Sequence, residues 1–142
     1  MPTVLATTPE RSKLMSRVRQ RGTAPELAVR DILKLQGHTF QINGKMLPGS
    51  PDVFDTDQRR VVFVHGCFWH RHAGCRACTS PKSNSEFWQE KFAQNQARDR
   101  RNVRQLRHHG YRVLTVWECQ VKSPAKLARL KRRLDKFFRR PE

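Results

Sequence analysis

The segment that most narrows what this chain can become is RRVVFVHGCFWHRHAGCRAC, residues 59–78. Val61, Val62, Phe63 and Val64 are apolar at successive positions, the pattern of a strand covered on both faces rather than one. Gly66 ends it, and a loop follows that carries His70, His72, Cys67, Cys75 and Cys78 around an adjacent Phe68–Trp69 pair. Cys67, His72 and Cys75 follow a C-x4-H-x2-C spacing. Cys119, after the apolar run YRVLTVWE, offers a fourth ligand from the end of a second strand. Three thiolates and an imidazole suit a closed, tetrahedral, structural Zn²⁺ site. Cys75 and Cys78 also form a C-x2-C pair, itself a zinc spacing, so a site using Cys78 in place of His72 stays open.

Metal is preferred over disulfides because the N-terminus, MPTVLATTPERSK, has no basic stretch followed by an apolar one of the secretory type. The expected location is therefore the reducing cytoplasm. No apolar run approaches the length of a membrane span. The 142 residues include 29 Lys and Arg against 12 Asp and Glu, a formal net charge of +17. An excess of that size repels itself in a compact fold and calls for an anionic partner, and nucleic acid fits best.

Residues 1–22 read as a flexible basic arm and 23–142 as a single domain. TAPELAVRDILKLQG is a helix in which Thr23 and Glu26 have capping-box spacing, Pro25 lies in the first turn, and Ala28, Ile32 and Leu35 form an apolar face. Short strands are expected in HTFQING and after LPGSP. SEFWQEKFAQNQARDRRNVRQLRHHG is a long basic helix stopped by Gly110, YRVLTVWE is a strand, and SPAKLARLKRRLDKFFRR is an amphipathic helix with Leu127, Leu130, Leu134 and Phe137 on one face. Helix, antiparallel strands, helix, strand, helix is an α/β layer fold.

Within that frame Asp52, at the head of a strand in SPDVF, is placed to hold Mg²⁺ against phosphate oxygens, a task that needs only one or two carboxylates. His70 is two residues from His72. In an extended loop the two point opposite ways, one to zinc and one to chemistry as a general base. Asp99 on the long helix can orient it. Phe68, Trp69 and Trp88 are candidates for stacking against or wedging between bases.

Taken together, LPGSPDVF, VVFVHGCFWHRHAGC, EFWQEKFAQNQARDRRN and GYRVLTVWEC resemble the very-short-patch-repair (Vsr-type) DNA mismatch endonucleases, from about Arg11 to Cys119. The resemblance implies a restriction-endonuclease-like fold: a central mixed sheet flanked by helices, with a structural zinc. It implies a Mg²⁺-dependent enzyme, active in the bacterial nucleoid, that nicks duplex DNA 5′ to the thymine of a T·G mismatch left by 5-methylcytosine deamination. Asp52 is then the metal-binding aspartate and Val64 supplies a backbone carbonyl to the same Mg²⁺. His70 is the general base, His65 lies beside it, Asp99 supports it, and Glu26 reaches metal-bound water. Phe68, Trp69 and Trp88 wedge into the duplex, Met15 enters from the opposite groove, and Lys91 and Asn95 contact DNA. The E-x-K run of related restriction-type nucleases is replaced here by FVH, so histidine must carry that work. Motif order favours Cys75 over Cys78 as the zinc ligand. A monomer suits an asymmetric mismatch. The competing readings are a non-catalytic zinc module that binds nucleic acid, and a restriction-type nuclease cutting both strands, which would be expected to dimerise.

Overall fold

The computed structural model describes residues 23–76 and 78–139. The expected arm over 1–22, with Met15, lies outside them. In chain order the elements are α1 (Ala24–Leu35), β1 (Gln41–Ile42), β2 (Val53–Asp55), β3 (Arg60–His65), α2 (Ser85–His108), β4 (Arg112–Trp117), a 3₁₀ turn (Glu118–Val121) and α3 (Pro124–Phe138). The four strands form one sheet in the order β1-β2-β3-β4. β1–β2 and β2–β3 are antiparallel, whereas β3–β4 are parallel with Val64 opposite Val116 and His65 opposite Trp117. Parallel neighbours need a long crossover, and α2 supplies it. The sheet is thus mixed and flanked by helices, as expected.

β3 sits inside the sheet with a layer on each face. Val62 joins Val53 and Val116 against Val29, Ile32 and Leu33 of α1 and Leu130, Leu134 and Phe138 of α3. Val61 and Phe63 point the other way and pack with Phe54 against Leu106 of α2. Two covered faces explain why β3 is apolar at consecutive positions, since alternation is required only where one face meets water.

Three helix details differ from the sequence expectation. Thr23 caps α1 through its backbone carbonyl, which accepts the Leu27 N–H at 3.0 Å, and its side chain makes no cap hydrogen bond. The capping box does not form because Glu26 is turned inward and is only 3% exposed, with Arg30 at 3.6 Å. Helical geometry explains this: Glu26 is three residues before Val29 and shares its face. The same geometry puts Leu35 about 120° from Val29 at 3.6 residues per turn, and Leu35 is 88% exposed. In α3 the Ser123 hydroxyl does accept the Lys126 N–H, at 3.5 Å. Phe138 rather than Phe137 completes the buried row, at i+4 spacing from Leu130 and Leu134. The segment after α1 is joined to α3 by His38 Nε2 to Asp135 Oδ1 at 2.8 Å and by the Gln36 amide donating to the Lys131 carbonyl at 2.9 Å. Among the described residues no helix is long and apolar enough to cross a membrane.

The turn leading into β2 depends on Gly49. Its φ is +77°, and a Cβ there would lie 2.9 Å from the Asn102 side chain on α2 and 3.0 Å from Phe63. Gly37, with φ +80°, has open space around it. Gly37→Ala is therefore expected to cost only the left-handed backbone penalty, about 1–2 kcal/mol. Gly49→Ala should cost more, because the added carbon must also displace packed groups. Equal denaturation midpoints for the two variants would contradict this.

Candidate active site and metal cluster

The site is assembled at the end of β3 that β2 and α2 approach. Asp52 precedes β2 and is tied to β3 twice. Its N–H donates to the Val62 carbonyl at 3.1 Å, and its Oδ2 accepts the Val64 N–H at 2.6 Å. Glu26 reaches the same place from the buried face of α1. Burial pushes the Asp52 carboxyl up to about 7, the Val64 N–H opposes this, and the neighbouring Glu26 carboxylate adds to it. Two adjoining buried carboxylates are unfavourable together when both are ionised. A proton or a cation between them removes the cost.

Facing them is a second cluster, whose His65, His70 and Asp99 ligand atoms lie within 4.8 Å of one another. His70 Nδ1 is 2.7 Å from Asp99 Oδ2. His65 and His70 stack with centroids 3.8 Å apart and planes 6° from parallel. Burial lowers His65 to about 4, the adjacent His70 contributes in the same direction, and Asp99 acts against them. His65 is therefore neutral near pH 7, which allows the stack to form without charge repulsion. With Nδ1 of His70 held by the carboxylate, Nε2 is the ring nitrogen left for a substrate. Glu26, Asp52, Val64, His65, His70 and Asp99 all line one cleft of about 260 Å³.

The loop after β3 is coiled rather than extended: the His70 N–H donates to Gly66 O at 3.1 Å and the His72 N–H to Cys67 O at 3.0 Å. His70 and His72 still diverge, because Arg71 between them has φ +56°. His72 joins Cys67, Cys75 and Cys119 in a group whose ligand atoms lie within 4.8 Å of one another. Its Nδ1 is 3.7 Å from Cys67 Sγ and 3.5 Å from Cys119 Sγ, and its ring stacks on Trp117 at 4.3 Å. This group could hold a metal, and Cys78 is not part of it.

Beyond His70 the loop presents Phe68 and Trp69, both half-buried. Phe68 meets Trp69, Trp88 and Phe92 edge-on, at centroid distances of 5.2, 5.9 and 5.2 Å. Trp88 is 4% exposed and lies within this cluster. Phe68 and Trp69 border a wider cleft of about 870 Å³ that shares His70 and Asp99 with the first. Asn95 also lines it; its amide donates to the Trp69 carbonyl at 3.3 Å, and its Oδ1 accepts from Arg98 at 2.7 Å. Lys91 is exposed on the same helix.

Two supporting residues escaped the sequence reading. Arg71 lies 4.1 Å over the Phe92 ring and donates to the Thr79 carbonyl at 2.7 Å and the Ser80 hydroxyl at 3.1 Å. It thereby clamps the loop onto α2. Glu118 Oε1 accepts the Cys67 N–H at 2.9 Å. Glu118 had one usable signal, its place directly before Cys119. Arg71 had none that set it apart from the other arginines.

Residues 4–76 match the family model described as DNA mismatch endonuclease Vsr. The chain is 46% identical to the Type II nicking enzyme V.XorIIP of Xanthomonas oryzae pv. oryzae over 129 residues, covering 89% of this chain and 94% of the relative. Against the Type II nicking enzyme V.NmeAIP of Neisseria meningitidis it is 41% identical, covering 87% of each. Against the DNA mismatch endonuclease Vsr of Escherichia coli it is 43% identical, covering 82% of this chain and 74% of the relative. With its paired carboxylates and its aspartate-held histidine around a single cleft, the chain belongs to the DNA mismatch endonuclease Vsr family, and it is a DNA endonuclease.

Proposed function

We propose that this enzyme nicks one strand of duplex DNA 5′ to the thymine of a T·G mismatch, as a monomer acting in the bacterial cytoplasm on its nucleoid. The observation that carries the reading is the convergence of Asp52 and Glu26 with the His70–Asp99 pair around one cleft. In the chemistry we infer, His70 Nε2 takes a proton from a water whose oxygen bonds to phosphorus as one phosphodiester P–O bond breaks, and the leaving sugar oxygen takes a proton from solvent. Asp99 fixes the ring for that transfer and stabilises its charged form. His65 supports the His70 ring from the other side.

The donor set fits Mg²⁺. Burial and the neighbouring Glu26 raise the cost of ionising Asp52, and a divalent cation would relieve it. Asp52 and the Val64 carbonyl would hold the ion, with Glu26 reaching its waters. Bound there, Mg²⁺ supplies charge stabilisation to the phosphate oxygens. The other group is sulfur-rich: Cys67, Cys75, Cys119 and His72 suit a structural Zn²⁺. Burial pushes the Cys67 thiol up to about 12, and a coordinated zinc would hold it as thiolate. A core of this kind, a mixed sheet bearing one acidic residue at a strand head, supports a restriction-endonuclease-like fold within a domain running over 23–142.

Asp52→Ala is expected to abolish Mg²⁺-dependent nicking while DNA affinity survives, because phosphate contacts by Lys and Arg dominate affinity. Strand-resolved nicking of matched and T·G duplexes with varied flanks, beside a binding isotherm, tests this. Retained nicking would remove Asp52 from the metal site.

Metal analysis should find about one zinc per chain. Cys119→Ala should lose that zinc and unfold at lower temperature, since structural zinc contributes to folding directly. A zinc-free wild-type protein that is folded and active would exclude the site.

Phe68 and Trp69, with Trp88 beneath them, are read as the wedge, with Lys91, Asn95 and Met15 as further DNA contacts. Unstacking a base step costs a few kcal/mol, least where pairing is already weak. The Phe68→Ala/Trp69→Ala double variant should therefore lose single-turnover nicking of T·G duplex far more than affinity for matched duplex. Parallel loss of nicking, affinity and melting temperature would reassign both rings to the core.

A further inference from the structure

A third cleft, of about 670 Å³, opens from the same catalytic group and is not lined by Phe68 or Trp69. It shares His65, His70 and Asp99 with the active-site cleft, and its lining includes Trp117 and Thr115 of β4 and Arg100, Arg104 and Arg107 of α2. The three arginines are spaced i, i+4, i+7, so they stand in one row on one helix face. All three are exposed, and among the described residues none of them is paired with a carboxylate. The one acid in the groove, Asp99, is already engaged by His70 at 2.7 Å.

We infer that this groove is a binding track for the sugar–phosphate backbone that adjoins the scissile phosphate, with Arg100, Arg104 and Arg107 each meeting a phosphate. The inference rests on the reading of the cleft as the place where a phosphodiester is cut. Three features support DNA as the occupant. The arginine row is continuous with the His70–Asp99 pair, so a backbone lying on it leads into the cleft. From Arg100 to Arg107 the helix rises about 10 Å at 1.5 Å per residue. A DNA strand presents a phosphate every ~3.4 Å of duplex axis, so the row can meet two or three in succession. The groove also joins a cationic wall to an aromatic and aliphatic side formed by Trp117 and Val103, which suits a chain that alternates charged phosphate with less polar sugar. The aromatic cleft on one flank of His70 and the arginine groove on the other would divide the work. One side reads bases, and the other fixes the register of the backbone.

The test uses the full chain carrying Arg100→Gln, Arg104→Gln and Arg107→Gln together, with Lys126→Gln/Arg129→Gln on α3 as a charge-loss control. Binding to matched duplex is measured over a range of salt in Ca²⁺ or without divalent metal, so that no cleavage is involved. The slope of log K against log[salt] should become shallower by about 0.9 for each arginine that meets a phosphate. The triple variant should lose two to three such increments, equally on matched and T·G duplex, with an unchanged melting temperature. The control should lose fewer than one. A duplex shortened on one side of the nick should weaken the wild type, while the triple variant should be indifferent to that arm. A slope equal to wild type, a loss matched by the control, or undiminished sensitivity to the shortened arm would each overturn the groove. Because binding is scored without cleavage, absence of T·G nicking would defeat the proposed function and leave this result standing. A wild-type slope in a protein that nicks T·G duplex would do the reverse.

Discussion

Strand β3 is paired on both edges and covered on both faces, and the functional parts of the molecule are placed by reference to it. Its buried row, Val61 to Phe63, anchors α2 on one side and α1 with α3 on the other. Its C-terminal end, Val64 and His65, is therefore held to the precision of a packed core. Asp52 is pinned to that end by the 2.6 Å bond from the Val64 N–H. Cys67, two residues past the strand, begins the loop that carries His70. A side chain attached to such an edge keeps its geometry without relying on loop stiffness, and geometry errors of ~1 Å are costly in catalysis.

The loop itself is short of ordinary packing and is restrained by specific contacts instead. The Cys/His group ties it to the end of β4 through Cys119, Arg71 lies on Phe92 of α2, and Glu118 holds the Cys67 N–H. These ties come from two elements, the 3₁₀ turn Glu118–Val121 and α2, so the His70 ring is positioned between the sheet and α2 rather than by its own segment. The Asp99 contact then selects which ring nitrogen faces the cleft. Charge follows the same division. The acidic groups and the imidazoles of the cleft are collected inside, where burial raises Asp52 and lowers His65. The arginines of α2 stay outside, where solvation is cheap.

Much of this could be read from residues in order. The apolar run of β3, the Gly stops, the Ser123 cap and the C-x4-H-x2-C spacing are local signals, because each depends on neighbours within a turn or a strand. His70 and His72 fall in separate groups, with the left-handed Arg71 of a coiled loop between them rather than strand alternation. Where sequence reasoning failed, a distant partner had changed the outcome. Glu26 has capping-box spacing, yet it shares a helix face with Val29, and the packing of that face against the sheet carries it to Asp52. Leu35 was assigned to the core face, but only positions near Val29 meet the sheet.

The sequence by itself determined the elements, the class of chemistry and the candidate side chains, since periodicity, residue type and spacing survive in one dimension. It could not decide which of those side chains meet. The Asp52–Glu26 juxtaposition joins two elements, the His70–Asp99 pair spans 29 positions, and the Cys119–His72 contact spans 47. The grouping of Cys75, and not Cys78, with Cys67, His72 and Cys119, and the lining of one cleft by the α2 arginines and His70, likewise depend on folding. Such contacts depend on how helices dock on a twisted sheet, which is fixed by the sum of many packing contacts and not by any local pattern.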